Sequence, residues 1–198
     1  MTTREDQKKQ REEEILMMAL HLFTSKGYAS TKTSDISKAL HISEGLLFHY
    51  FKSKESLLET LVDIATQTNT SWIEPKPLEP LAYFTSVADG VLTLLREEKI
   101  GADFFVLIAQ LKQNEGIPEH IRQKVIPDEH KMDPMLAIVR KGQRQGVIRK
   151  GDPRALLYLF SNTLNAIAIG YATIPDMPLP ETEWIIAMLK QSPIGGAE

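Results

Sequence analysis

The chain has 198 residues, 42% of them apolar, and a formal net charge of −3. That apolar content is enough to bury a sizeable core and excludes wholesale disorder, while the absence of cysteine excludes a disulfide framework, a thiolate metal site and a cysteine nucleophile. The slight acidic balance excludes a broad positive field, so any nucleic-acid contact must rest on a few placed cations and on helix N-termini.

Residues 1–8 are polar, without the apolar core of a signal peptide, and are expected to fray. From about Gln10 to Lys26, Ile15, Met18, Ala19, Leu22 and Phe23 recur at helical spacing, and Gly27 ends the pattern. A helix of roughly two turns follows, with a threonine among Thr31–Thr33 as its cap, Asp35 in its first turn and Ile36, Ala39 and Leu40 on its apolar side. His41-Ile42 makes a break, with Ile42 as a buried plug. Ser43 then caps a third helix, Glu44 to Tyr50, with Phe51 at its end. Ser53 caps a fourth, with Leu57, Leu58, Leu61, Val62, Ile64 and Ala65 apolar, running to about Thr70.

The stretch 31–58 thus reads as a helix-turn-helix. A groove-reading helix needs side chains near its N-terminus that reach base edges, and flanking groups that hold phosphate. Gly45 permits close backbone approach, Leu46 suits a thymine methyl, and His49 can donate to a purine acceptor or a phosphate. Thr33 and Ser34 sit at a helix N-terminus, and Lys52 and Lys54 flank the next one as point charges. Glu44 either accepts from a cytosine amine or is a favourable acid at a helix start. Leu47, Tyr50 and Phe51 read as core.

Gly27-Tyr28, the threonines, Ile36, the break, Ser43-x-Gly45-x-Leu47-Phe48-x-x-Phe51 and Lys52-Ser53-Lys54-Glu55-x-Leu57-Leu58 together resemble the N-terminal signature of the tetracycline-repressor (TetR) family over about residues 10–60. The resemblance implies that Thr33, Ser34, Glu44, Gly45, Phe48, His49 and Lys54 face DNA. Two positions depart from it. The family usually has glycine where His41 stands and tyrosine where Phe48 stands.

Beyond residues 71–80, a proline-containing break, helical patterns cover about 81–98, an apolar segment 104–111, a short helix opened by Gly116-Ile117-Pro118 and stopped by Pro127, and a helix started by Asp133 as cap with Pro134 behind it. Residues 141–156 again resemble the TetR family, whose bodies often carry a Gly-Gln-x-x-Gly turn into an Asp-Pro start. The helix from Arg154 to about Ala172 is apolar nearly all round, although no apolar run approaches the ~18 residues of a bilayer span, so a soluble, cytoplasmic protein without membrane attachment is expected. Small residues Ala166, Ala168 and Gly170 permit close approach by a second copy. With Trp184 and Met188 of a final helix, about 181–191, they are expected to form a two-fold interface. The amides of Gln110, Asn114, Asn162 and Asn165, with Phe104, Phe105 and Tyr158, are candidates to line a largely apolar pocket.

The expected architecture is all-α: a DNA-binding head at 1–54 and a ligand-binding and dimerisation body at 55–198. The expected function is a ligand-responsive regulator, a repressor that leaves a palindromic double-stranded operator when a small effector binds. A DNA-bound protein of the same fold that recruits a protein partner without an effector remains an alternative. The histidines make no metal spacing, and no nucleophile elbow, phosphate loop or dinucleotide fingerprint is present, so neither catalytic residues nor a cofactor are expected.

Overall fold

The computed structural model describes residues 3–73, 77–97, 99–114, 116–126 and 132–191. Among them run the helices α1 Arg4–Lys26, α2 Thr33–Ala39, α3 Glu44–Tyr50, α4 Lys54–Ile73, α5 Pro80–Glu97, α6 Lys99–Gln113, α7 Glu119–Val125, α8 Asp133–Arg144, α9 Pro153–Thr173 and α10 Thr182–Ala187. The described residues hold no strand, only one antiparallel bridge between Ile148 and Lys190. The stop expected at Pro127 lies outside the described residues.

Several starts and stops differ from expectation for local reasons. Helix α1 begins at Arg4 rather than near Gln10, because Thr3 and Asp6 form a reciprocal capping box. No threonine caps α2. Its cap is Lys32, whose backbone N–H donates to Asp35 at 3.1 Å, while the buried Thr31 hydroxyl donates to the carbonyls of Leu22 and Gly27. Helix α8 includes Asp133, and its cap is Met132, which makes no side-chain capping bond. Helix α10 stops at Ala187, because the chain then turns into the bridge with Ile148. Ser43 and Asp152 cap α3 and α9 as expected, accepting from Leu46 and Ala155.

The chain forms two compact units. The first comprises residues 1–67 and 103–126, that is α1–α3, most of α4, and α6 and α7 from Asp103 onward. Its core holds Ile15, Leu20, Phe23, Ile36, Leu47, Leu58 and Leu61, all fully buried. On its surface Lys124 of α7 reaches Glu59 and Asp63 of α4 at 3.0 and 2.7 Å, and His120 lies 3.5 Å from Glu55. This grouping departs from a division at residue 54. Helices α4 and α6 each continue from one unit into the other.

The second unit comprises residues 68–102 and 127–198. Here α5 packs against α8, α9 and α10. Phe84 meets Tyr83 and Phe160 edge-on, with ring centroids 5.2 and 5.1 Å apart. Burial pushes the Tyr83 phenol up to about 12. The α8–α9 connection is held at both ends. Gln143 donates to the carbonyls of Arg149 and Gly151 at 3.1 and 2.9 Å, and Arg149 and Gln191 close the bridge through Leu189 and Val147.

Helix α9 holds no unbroken apolar run of bilayer-spanning length, because Ser161, Asn162, Thr163 and Asn165 interrupt it. Its 21 residues have the length and mean hydropathy of a membrane span. One face, with Leu157, Phe160, Leu164 and Ala168, is buried within the unit, and another leaves Tyr158 and Leu159 45% and 46% exposed.

Candidate nucleic-acid interface

Three helices build this surface in the first unit. Helix α2 ends in a paired turn: Ile42 donates to the carbonyl of Ser37 and His41 to that of Lys38. This is the Schellman arrangement, which places the residue after the C-cap in the left-handed region. That residue is His41, at φ +54°. The turn is therefore as tight as a glycine would make it, at the cost of some backbone strain. Ile42 is half-buried rather than a fully buried plug.

Ser43 Oγ accepts from the N–H of Leu46 at 3.1 Å and starts α3. Leu47 is the one α3 side chain fully withdrawn into the core, while Tyr50 and the following Phe51 are half-buried. Glu44, Gly45 and His49 are exposed, and so, at 39% and 43%, are the apolar Leu46 and Phe48. A seven-residue helix thus turns two large apolar side chains and an imidazole outward together. Thr33 and Ser34, at the start of α2, are half-buried. Asp35 beside them is held below the usual carboxylate range by the N–H of Lys32 first and then by Lys26, 3.1 Å away.

Lys52 is exposed at the turn into α4. Lys54 is not simply a free phosphate ligand. Its ammonium donates to the carbonyls of Tyr28 and Thr31, both at 2.9 Å, and lies 4.3 Å from the Tyr28 ring centroid. Burial lowers its pKa. One of its three protons remains for an outside acceptor.

Sequence reasoning missed a second feature. Beside the C-terminal end of α3 lies a groove of about 640 Å³, lined by Arg4, Gln7, Lys8, Gln10, Arg11 and Glu14 of α1 with His49 and Tyr50. A polar N-terminal segment that is expected to fray gives no hint of it. The Thr3-x-x-Asp6 spacing and cations at Arg4, Lys8 and Arg11, one helical face, were the available signals.

The candidate pocket residues are divided between the two units. Phe104, Phe105, Gln110 and Asn114 belong to the first unit, and Tyr158, Asn162 and Asn165 to the second. Contrary to the expected buried amides, Gln110, Asn162 and Asn165 are exposed and Asn114 is half-buried. Gln110 donates to the carbonyl of Thr24, and Asn114 accepts from Gly116. Tyr158 borders a slot of only about 10 Å³ with Met132, Leu136 and Arg154, room for about one water. A larger cavity in the second unit, about 720 Å³, is lined by Leu95, Arg96, Glu97 and residues 171–177, none of them among the candidates.

The interface candidates divide similarly. Ala166 is exposed and Trp184 is 68% exposed, with Met188 half-buried. Ala168, however, is fully buried inside its own unit, and Gly170 is covered by Met177, whose sulfur would lie 2.8 Å from an added Cβ. These two small residues serve packing within the chain.

Residues 15–61 match the family described as "Bacterial regulatory proteins, tetR family". The chain is 44% identical over 55 residues to an uncharacterized HTH-type transcriptional regulator, YuxN, of Bacillus subtilis, covering 28% of this chain and 19% of that protein. It is 36% identical over 66 residues to the nucleoid occlusion factor SlmA of Haemophilus ducreyi, 33% of each chain. These matches span only about a fifth to a third of the relatives' length. A crystal structure of PfmR, a TetR family transcriptional regulator from Thermus thermophilus, aligns over 87% of this chain and 93% of its own, with TM-score 0.63 and 28% identity.

Proposed function

From the premise that this is a TetR-family chain, with that family's DNA-binding head in its first unit and its all-helical fold over the described residues, we propose that it is a ligand-responsive repressor that binds a palindromic operator as a homodimer. The observation that carries the DNA reading is the outward face of α3. Leu46 and His49, three residues apart, share one exposed face of a helix whose Ser43 cap and buried Leu47 fix its orientation, and Phe48 is exposed on the other side of Leu47. Burying Leu46 and Phe48 against thymine methyls and sugar edges would remove apolar surface from water. Gly45 leaves room for the backbone to approach. Thr33, Ser34, Lys52 and the third proton of Lys54 hold flanking phosphates.

Response to an effector is supported by the cavity of about 720 Å³ in the second unit, which falls within the size range of small-molecule sites. Its wall mixes Leu95, Tyr171, Ile174 and Met177 with Arg96, Glu97 and Asp176, suiting a molecule with both apolar and polar groups. A ligand that binds one conformer of the second unit better than another shifts the population of both units, because α4 and α6 belong to both.

The protein-recruiting reading is favoured by one observation, the exposed apolar surface of Tyr158, Leu159 and Trp184. A second copy of the chain accounts for the same surface, and we assign it to the homodimer. Selection of bound sequences from a random duplex pool tests the proposal. A palindrome is expected. Enrichment of unpaired half-sites would overturn the dimer, and no enrichment would overturn sequence-specific binding.

A further inference from the structure

We infer that the groove between the first three turns of α1 and the C-terminal end of α3 is a second DNA-backbone seat, in which Arg4, Lys8 and Arg11 hold phosphates that the helix-turn-helix itself does not reach. The inference rests on the DNA reading above. The three cations recur at i, i+4 and i+7 and so form one stripe along α1. That stripe is one wall of the groove of about 640 Å³, and His49 and Tyr50 supply the other. Glu14 is the only acid among the residues that line it. The stripe lies on regular helix, because the Thr3–Asp6 box starts α1 at Arg4, with Asp6 accepting from Thr3 N at 2.8 Å.

The position of His49 gives the groove its role. It is exposed on the face of α3 that would enter the major groove, and it also borders the cavity. A duplex seated on α3 therefore passes the mouth of this cavity. The major groove is about 12 Å wide and both its rims are phosphate, whereas α3, with seven residues, is only about 10 Å long. A backbone leaving α3 at His49 runs onto the α1 stripe. The cations are held in reserve by their neighbours: Arg11 pairs with Glu14 at 2.6 Å, and Lys8 meets Glu12 only loosely at 3.9 Å. A phosphate competes for these groups, so Glu14 tunes the seat by holding Arg11 back. The arrangement also concentrates positive charge on one face of α1: the nearby acids Glu5, Asp6, Glu12 and Glu13 are absent from the groove lining.

The test uses the full chain and the palindrome enriched from the random pool, with binding measured across potassium chloride concentration. In the double variant Arg4→Gln/Lys8→Gln the slope of log affinity against log salt is expected to fall by about two units per head, about one per lost phosphate contact, with sequence preference unchanged. In Glu14→Gln, which frees Arg11, affinity is expected to rise severalfold and the slope to steepen by up to about one unit per head. Both variants change exposed or half-exposed side chains, and an unchanged circular dichroism spectrum verifies that α1 remains folded. An unchanged slope in the double variant, or a changed sequence preference, overturns the seat while leaving the helix-turn-helix reading intact. Weaker binding by Glu14→Gln also overturns it. Failure of the wild-type chain to bind any duplex instead overturns the DNA reading itself.

Discussion

The ammonium of Lys54 lies 4.3 Å from the ring centroid of Tyr28 and donates to the carbonyl oxygen of the same residue at 2.9 Å. With a second bond to the Thr31 carbonyl it pins the first turn of α4 to the connection between α1 and α2. Tyr28 in turn packs edge-on against the buried Phe23, 5.1 Å away. The lysine that would touch phosphate is thus also the brace that holds the three helices in register. Lys54→Ala is expected to destabilise the head by about 1–3 kcal/mol, the range for losing hydrogen bonds to a charged donor and a ring contact. It is also expected to lower the salt slope of DNA binding by about one unit per head. Chemical denaturation measures the first and salt titration the second. A variant with a reduced slope and unchanged stability would show that the carbonyl bonds contribute nothing.

His41 is the second point of stress. It occupies the left-handed region at φ +54°, where a side chain costs roughly 1–2 kcal/mol. His41→Gly relieves that strain but loosens the unfolded chain, so a net gain of about 0.5–1 kcal/mol is expected. His41→Val, with a branched Cβ, is expected to lose at least as much. The side chain is exposed, so neither change alters the core. Equal melting temperatures for all three proteins would refute strain at the turn.

The turn also illustrates what could be read from the sequence and what could not. Ser43 and Asp152 were legible as caps because a cap is a local hydrogen bond between residues a few positions apart. The departure at His41 was visible too, but residue identity alone does not say whether the backbone keeps the turn or opens it. The side chains of α9 were harder. A helix apolar on nearly every side does not reveal which side its own unit covers, so the pattern points to Ala168 as an interface residue although it is core, and to Asn162 and Asn165 as buried although they are exposed. The α1 groove was hidden for another reason. Its walls come from segments far apart in the chain, and only the fold brings Arg4 and Lys8 beside His49.

Acid is expected to weaken the fold through four carboxylates. Asp6 is held below its usual value by the backbone N–H of Thr3 and Asp35 by that of Lys32. Glu79 is lowered by the Gln145 amide and then Lys141, and Glu119 by Arg122 and then Gln123. Each folded value lies below the unfolded one, 3.8 for aspartate and 4.5 for glutamate. The stability each contributes is therefore complete above the unfolded value and is lost as pH falls through the folded one. Melting temperature is expected to be flat from about pH 7 to 5 and to drop below that. Asp35→Asn keeps the side-chain shape and is expected to lessen the acid drop. If the variant and the wild type lose the same number of degrees between about pH 5 and 3, Asp35 is not one of the groups responsible.

Gly142 faces a different constraint, space. An added Cβ would lie 2.5 Å from Cδ1 and 2.6 Å from Cγ1 of Ile148, which is fully buried, and 3.0 Å from Cβ of Pro80. The Ile148 side chain has little room to swing away, because it is fully buried and its backbone is tied into the bridge to Lys190. Gly142→Ala is expected to cost about 1–3 kcal/mol through overpacking. Pairing it with Ile148→Val, which trims Cδ1, is expected to recover part of that loss. If the double variant is less stable than the sum of its two single changes, the clash does not run through Ile148.

The two faces of α9 give the last expectation. Leu159 is 46% exposed and Trp184 of α10 is 68% exposed, whereas Ala168 is fully buried within the unit. Charge placed on the exposed face meets only solvent in a single chain, so Leu159→Glu is expected to fold normally. In a homodimer closed across that face, the two-fold axis duplicates the change, and each new carboxylate must be desolvated against an apolar partner surface. Leu159→Glu is therefore expected to sediment as a folded monomer where the wild type sediments as a dimer. Ala168→Glu buries an uncompensated charge inside its own unit and is expected to lose about 3 kcal/mol or more of folding stability at any protein concentration. The contrast separates the roles. A lower melting temperature with intact dimer mass is the signature of the inner face, and a lost dimer with a folded chain is that of the outer one. A Leu159→Glu protein that remains dimeric would move the two-fold contact away from this face of α9, and with it the spacing at which two heads could meet a palindrome.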